Sequence, residues 1–247
     1  MLKELNLVTG WGDILPYIKQ TVRAGNTIFT YKYFSLRYGL RNIARGPNEG
    51  RYTEYQKKIN ENLRNKKLIW YLCENFSKGD WWITLNYRRG ERPEDIIRAE
   101  SNLKKVLAKL RRQLKKQGIA FSYMAMTEQG KKGGLHHHIV IRNNFDVGMI
   151  IKNKMWPHGK VIIDDIYTES LCDLADYFVK GDSKESEKRY TRSRNLRPPK
   201  IKKTVVPAKG WAKAPKPKKG YDIAHQYNGF HDFSGYPYQE YTQVRRC

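Results

Sequence analysis

The chain has 247 residues, 39% hydrophobic and 13% aromatic, which is enough to bury a core and excludes wholesale disorder. Lysine and arginine number 48 against 24 aspartate and glutamate residues, so the formal net charge is +24 and a polyanionic partner, above all nucleic acid, is expected. No apolar run approaches the roughly 20 residues of a membrane span, so we expect no membrane association.

The first half of the chain begins with a mixed segment, residues 1–52, which we treat as an N-terminal extension. Within it, alternating aromatic residues from Thr27 to Phe34 suggest a strand. Apolar residues recur at helical spacing from Thr53 to Phe76, and this predicts a helix. A turn follows, and the sequence WWITLNY (81–87) is rich in aromatic and β-branched residues, as strands are.

A second helix is predicted between Pro93 and Gly118, because proline suits a first helical turn and glycine a helix end. It carries one apolar stripe and an opposite basic face. Residues 119–128 and 135–142 then predict two strands joined by the turn QGKKGG, which makes a hairpin.

We expect residues 53–183 to form one domain. After the hairpin it comprises a short strand at 161–163 and a helix at about 168–180. The resulting order β-α-β-β-β-α predicts an α+β fold, in which helices pack on a central antiparallel β-sheet.

After residue 183 the composition changes. Residues 184–219 contain fourteen lysines and arginines, two glutamates and five prolines, which predicts an extended basic arm. Residues 220–247 are aromatic and glycine-rich, and we expect this C-terminal segment to pack on the domain predicted over residues 53–183.

Three consecutive histidines lie in the second strand of the predicted hairpin. Because side chains alternate along a strand, His136 and His138 point to one face and His137 to the other. Two imidazoles at this spacing can share a divalent metal, and Glu128, at the end of the preceding strand, can reach the same ion. Three ligands leave positions open for substrate and water, unlike a closed structural zinc site. The alternative is a polar edge strand that binds no metal.

Tyr177 and Lys180 lie three residues apart near the end of the last predicted helix. They share one helix face, so the phenol and the ammonium can address the same phosphate. Alone this pair does not indicate a catalytic site, because a tyrosine near a helix end usually packs against the core and a lysine in the last turn suits the helix dipole.

The chain resembles the HUH endonucleases, whose three motifs occur in the same order. Here these motifs are the strand WWITLNY, the histidine triplet and the helix that carries Tyr177 and Lys180. More specifically, the chain resembles the rolling-circle replication initiators of small bacterial plasmids and phages, which implies that residues 53–183 form the nuclease domain. This closer resemblance rests on NFSKGDWWITLNY (75–87), MWPHGKVII (155–163) and YTRSRNLRPPK (190–200), and it covers about residues 55–241. A single tyrosine on the helix implies a single-tyrosine enzyme.

The resemblance implies an endonuclease that nicks single-stranded DNA at an origin hairpin. Mg²⁺ or Mn²⁺ held by Glu128, His136 and His138 would polarise the scissile phosphate. Tyr177 would attack it, leaving a 5′-phosphotyrosine link and a free 3′-hydroxyl, while Lys180 offsets the developing charge. The link retains the phosphodiester energy, so strands can be rejoined.

The implied partners are a host polymerase, which would extend the 3′-hydroxyl, and a host helicase, because the sequence contains no phosphate-binding GxxxxGK[ST] loop. The expected location is the cytoplasm of a bacterial host. Three widely spaced cysteines without a CxxC pair, and an N-terminus unlike a signal peptide, agree with that location.

Candidate DNA contacts lie in the basic arm, although a solvated linker is the alternative. They are Arg192, Arg194, Asn195, Arg197 and Lys200. Two other functions stay open: a mobilisation relaxase or transposase with the same chemistry, and a nucleic-acid-binding protein without catalysis. The second leaves the Glu128, His136 and His138 set unexplained.

Overall fold

The computed structural model describes residues 17–35, 54–130, 133–143, 145–151, 155–168, 171, 174, 188–206, 214–231 and 235–246. The chain forms two compact units. The terminal unit comprises residues 1–52 and 200–247, and the central unit comprises residues 53–199. The described part of each unit contains one five-stranded antiparallel sheet.

The helices and strands of the described residues follow one another along the chain. They are β1 (Tyr17–Ala24), β2 (Thr27–Phe34), α1 (Glu54–Asn75), β3 (Trp81–Asn86), α2 (Ile96–Lys116), β4 (Tyr123–Gln129), β5 (Leu135–Ile141), α3 (Phe145–Ile150), β6 (Val161–Asp165), β7 (Lys188–Arg192), β8 (Lys200–Val206), β9 (Tyr221–Phe230) and β10 (Pro237–Arg245). The central sheet has the strand order β6-β3-β5-β4-β7, and the terminal sheet has the order β8-β1-β2-β10-β9.

Helix α2 covers one face of the central sheet. The Asp95 side chain caps its first turn by accepting the Arg98 backbone N–H at 2.6 Å, and Gly118, at φ 71°, follows its end. Its apolar stripe is buried: Ile96, Ala99, Leu103, Val106, Leu107, Leu110 and Leu114. The stripe packs in one core with sheet residues such as Ile83 and Ile139, and each leucine buried there contributes roughly 1.5–3 kcal/mol.

Helix α1 lies against the opposite face of the central sheet, beside β7. The guanidinium of Arg192 sits 3.7 Å from the centre of the Tyr71 ring, and that of Arg64 sits 5.7 Å from the centre of the Tyr190 ring. Tyr190 and Arg192 are two residues apart in β7, so they share a face. Met126, fully buried, pairs in register with Tyr190 on that face.

The terminal sheet joins the two ends of the chain. Strands β1 and β2 form a hairpin whose turn contains Gly25 at φ 56°, and β2 coincides with the strand predicted from Thr27 to Phe34. Strand β10 pairs with β2 and with β9, so the aromatic C-terminal segment supplies two strands to this sheet.

The basic segment 184–219 is not a continuous extended arm. Strand β7 pairs with β4 of the central sheet, and β8 pairs with β1 of the terminal sheet. Nearly all side chains of β8 are exposed, while its backbone bonds to a neighbouring strand. Lysine-rich composition predicts solvent exposure correctly but does not reveal the backbone pairing. The prediction of an arm is therefore corrected for residues 188–192 and 200–206.

The predicted fold class, α+β with helices packed on an antiparallel sheet, is confirmed. Strand β4 begins at Tyr123, four residues later than predicted, and the short helix α3 is an addition to the predicted elements. The helix predicted at 168–180 lies outside the described residues except for Leu171 and Leu174, which are helical, and Thr168 before them. No helix in the described part of the chain has the length and apolarity needed to cross a membrane.

Candidate metal centre

The β4–β5 hairpin brings together the three side chains predicted as metal ligands. Glu128 lies directly opposite His136 in the antiparallel register, and His138 lies opposite Met126. Residues 136 and 138 share one face of β5, so both imidazoles lie beside the Glu128 carboxylate. Glu128 is fully buried and His138 is 5% exposed, whereas His136 is partly open to solvent.

The ligand atoms of this trio converge. Oε1 of Glu128 lies 3.0 Å from Nε2 of His136 and 3.3 Å from Nε2 of His138. One ligand atom from each residue can be chosen so that all three lie within 4.8 Å of one another. This group could hold a metal ion, and a carboxylate with two imidazoles suits a divalent transition metal with open coordination positions.

The contacts on the far side of each imidazole fit a cation between the three residues. Nδ1 of His136 lies 3.3 Å from the carbonyl oxygen of Gly134. A carbonyl only accepts, so the proton of a neutral His136 belongs on Nδ1 and the Nε2 lone pair faces the carboxylate. Two electron-rich atoms 3.0 Å apart require a proton or a metal ion between them.

His138 is oriented by strand β3. The hydroxyl oxygen of Thr84 lies 3.1 Å from its Nδ1, and the Trp82 ring centre lies 4.8 Å from its ring centre. A hydrogen bond at Nδ1 holds the ring orientation, and when the hydroxyl oxygen accepts the Nδ1 proton, the Nε2 lone pair is available to a metal. Thr84 is not among the residues predicted from the sequence, although the alternation of β3 and its pairing with β5 place it beside His138.

His137 is a core residue on the opposite face, as the alternation predicts. It is fully buried, with Tyr87 Oη 2.8 Å from its Nε2 and Thr127 Oγ1 2.7 Å from its Nδ1. Burial, together with the neighbouring histidines, lowers the pKa of His137 to about 3, so its ring is neutral at physiological pH. His137 therefore holds the hairpin on the helix-covered side of the sheet.

Tyr190 lies on the same face as the trio but is not one of the three ligands. Burial raises the pKa of its phenol to about 12; the positive charge of Arg64 lowers it, and the negative charges of Glu128 and Glu61 raise it. The Tyr190 oxygen is therefore harder to ionise than that of an ordinary tyrosine.

The predicted DNA contacts have varied surroundings. Arg192 stacks on Tyr71, while Arg194 is exposed in a turn. The Asn195 side-chain amide donates to the Phe121 carbonyl at 3.3 Å. Arg197 donates its backbone N–H to Asn75 Oδ1 at 2.8 Å and a side-chain N–H to the Glu74 carbonyl at 3.3 Å. Lys200 begins β8 in the terminal unit.

The predicted catalytic residues, Tyr177 and Lys180, lie outside the described residues. His158, in the turn before β6, has its Nδ1 3.3 Å from Glu91 Oε2. It is not one of the three converging ligands.

Comparison with known proteins bears on the stretch that contains this centre. Residues 80–182 match a family model of replication-associated proteins, described as replication-associated protein ORF2. This stretch is similar to replication-associated proteins. It covers less than half of the chain and includes β3, the β4–β5 hairpin and all three converging side chains. No curated protein and no solved structure matches the chain significantly.

Proposed function

We propose that the chain is a replication initiator of the single-tyrosine HUH type, which nicks single-stranded DNA at an origin hairpin. The observation that supports this most strongly is the convergence of Glu128, His136 and His138 inside the stretch that matches replication-associated proteins. The net charge of +24 suits a DNA substrate.

Glu128, His136 and His138 would hold Mg²⁺ or Mn²⁺, which, when bound, would supply charge neutralisation at the scissile phosphate. The protein's part is to fix the three ligand atoms in advance. Strand pairing positions Glu128 against His136, and Thr84 orients the His138 ring. Such preorganisation lowers the cost of stabilising charge in the transition state.

Tyr177 would be the nucleophile and Lys180 the neighbouring cation. The Tyr177 phenol oxygen forms a bond to phosphorus as the bond from phosphorus to O3′ breaks. The phenol loses its proton and the departing O3′ gains one, so the products are a 5′-phosphotyrosine link and a free 3′-hydroxyl. Lys180 would offset negative charge on the phosphate, and reversal of the same exchange rejoins the strand.

The expected partners follow from this reaction. The free 3′-hydroxyl is a primer for a polymerase of the bacterial host, and a host helicase would separate the strands. The residues proposed to contact DNA are Arg192, Arg194, Asn195, Arg197 and Lys200. The reaction is proposed to take place in the host cytoplasm.

The test is formation of a covalent adduct. Labelled single-stranded oligonucleotides tiled across the replicon that encodes the chain are incubated with the protein and Mn²⁺, then separated on a denaturing gel. We expect one oligonucleotide to give a labelled band at the mass of protein plus DNA, which chelator or Glu128→Gln abolishes. A mobilisation relaxase or transposase would also form an adduct. The oligonucleotide that gives it would then contain a transfer origin or a transposon end, not the replication origin. Absence of any adduct with the wild-type chain would contradict the proposal and favour a protein that only binds nucleic acid.

A further inference from the structure

A groove of about 360 Å³ runs between one face of α1 and the end of β7. Asn60, Arg64, Lys67 and Tyr71, spaced three or four residues apart, line it from the helix, and Arg192 lines it from the strand. Leu63 and Leu68 complete the apolar part of its wall. All of these residues belong to the central unit.

The groove combines positive charge with an open apolar wall. Arg64, Lys67 and Arg192 carry three positive charges, and Glu61 lies 3.9 Å from Arg64 in an exposed pair that contributes little. Leu63 is 49% exposed, so the groove presents an apolar side chain to solvent beside these charges. This mixture fits a ligand that carries both anionic and flat apolar groups.

The groove opens on the same face of the central sheet as the candidate metal centre. Strand β7 pairs with β4 in a register that sets the backbone of residue 188 opposite Glu128, and Arg192 lies four residues further along β7. With about 3.3 Å per residue and about 4.8 Å between strands, Arg192 is about 14 Å from Glu128. An extended strand of nucleic acid spans that distance with a few nucleotides.

We propose that the α1–β7 groove binds the single-stranded DNA substrate beside the cleavage site. Arg64, Lys67 and Arg192 contact phosphates, while unpaired bases pack on Leu63 and Tyr71. A duplex presents its phosphates but hides the faces of its bases, so the apolar wall favours a single strand. The Arg192 guanidinium is already stacked on Tyr71, which holds both groups in place before DNA binds. This inference rests on the proposed function, from which it takes DNA as the substrate.

The first test removes charge from the groove. Fluorescence anisotropy measures binding of a labelled thymidine oligomer of about 12 nucleotides, a length within the usual range of single-strand sites. A chelator is present throughout, so no cleavage is needed. We expect R64Q with K67Q to weaken binding about tenfold and to lower the salt slope by about 1.4, which corresponds to two phosphate contacts.

The matched control removes two charges from the other side of the sheet. Lys105 and Lys109 are exposed on α2, which packs on the opposite face. K105Q with K109Q should change the dissociation constant less than about twofold, because distant charges are screened within about 8 Å at physiological salt. Equal losses in the two double variants would overturn the proposal, since they would reflect net charge alone.

The second test concerns the bases. L63D adds a negative charge and removes the exposed leucine, and I97D makes the same change at an exposed position of α2. L63D should weaken binding of the thymidine oligomer at least about fivefold more than binding of a duplex of the same length, whereas I97D should not discriminate. Equal weakening of single strand and duplex by L63D would overturn the assignment to unpaired bases.

Failure of the groove proposal can be distinguished from failure of the proposed cleavage, because the binding tests and the adduct test give independent results. If groove variants lose single-strand binding while the wild-type chain forms no adduct, the proposed cleavage fails and the groove stands. If the chain forms the adduct while R64Q with K67Q binds the thymidine oligomer as wild type does, the groove proposal fails and the proposed function stands.

Discussion

At the scale of single residues, consecutive histidines of β5 have opposite surroundings because strand side chains alternate between faces. His136 and His138 lie against the Glu128 carboxylate, and His137 is held by Tyr87 and Thr127 in the core. The two environments predict different consequences for the same substitution.

Replacing His136 or His138 by alanine should abolish the binding of Mn²⁺ while leaving the fold intact, because each removes one of three ligands. His137→Ala should retain Mn²⁺ binding but destabilise the folded state by about 2–4 kcal/mol, since it leaves a cavity and two buried hydroxyls without their partner. Calorimetric titration with Mn²⁺ and urea denaturation measure the two effects. Equal loss of Mn²⁺ affinity in all three variants would contradict the assignment of faces.

Thr84 is a positioning residue for His138. Thr84→Val keeps the shape of the side chain but removes the hydroxyl 3.1 Å from His138 Nδ1, so Mn²⁺ affinity should fall about 10- to 100-fold with little change in stability. Thr191→Val, on a β7 position that faces the other side of the sheet, is the control and should bind Mn²⁺ as wild type does. Unchanged affinity in Thr84→Val would show that the ring is held by other contacts.

At the scale of elements, the turn before β6 fixes the end of β3 next to the metal centre. Trp156 donates its indole N–H to the carbonyl of Asn86 at 2.9 Å, and Asn86 pairs in register with His136. Gly159 sits directly against this backbone: a Cβ there would collide with the Asn86 carbonyl oxygen and lie 2.8 Å from the Arg88 nitrogen. Only glycine fits that approach.

Gly159→Ala should therefore destabilise the protein by about 2 kcal/mol or more, because backbone atoms cannot move aside as a flexible side chain can. The matched control is Gly90→Ala, where an added Cβ meets nothing within 4 Å and stability should change by less than about 0.5 kcal/mol. Urea denaturation measures the free energy of unfolding of both variants. If they behave alike, the close approach at residue 159 is not a constraint.

The elements that can be predicted from the sequence are those whose periodicity is set by burial. The apolar stripe of α2 predicts that helix because it buries one face. The alternating aromatic residues predict β2, although its first six residues are all buried. Strands β7 and β8 are not predicted from the sequence, because three of the five residues of β7 and three of the seven of β8 are lysine or arginine, which indicates a solvated segment. Strand pairing uses backbone atoms that composition does not report. The convergence of Glu128, His136 and His138 is predictable because all three lie in one hairpin.

At the scale of the whole molecule, the terminal sheet joins residues more than 160 positions apart, as in the pairing of Thr21 with Lys202. Such long-range pairing leaves no local pattern, which is why the sequence predicts strand β2 in the N-terminal extension but not the sheet to which it belongs. The α1–β7 groove has the same origin: its two walls meet only in the folded central unit.

Deleting residues 1–35 removes β1 and β2 from the middle of the terminal sheet. Strand β8 then loses its only partner among the described strands, and β9–β10 becomes an isolated hairpin, which is marginal in water. Hydrogen exchange should show loss of amide protection in β8 and β10, with β4 and β5 still protected by their own core. Full protection of β10 in the shortened chain would contradict this account of the terminal sheet.

The most direct test of the central claim is to locate the DNA on the protein. The adduct formed with Mn²⁺ is digested with nuclease and protease, and the peptide carrying a nucleotide is sequenced by mass spectrometry. We predict a nucleotide linked through phosphate to Tyr177, and no adduct from Tyr177→Phe. A nucleotide on Tyr190 or on any other residue, or an adduct that survives Tyr177→Phe, would contradict the claim that Tyr177 is the nucleophile.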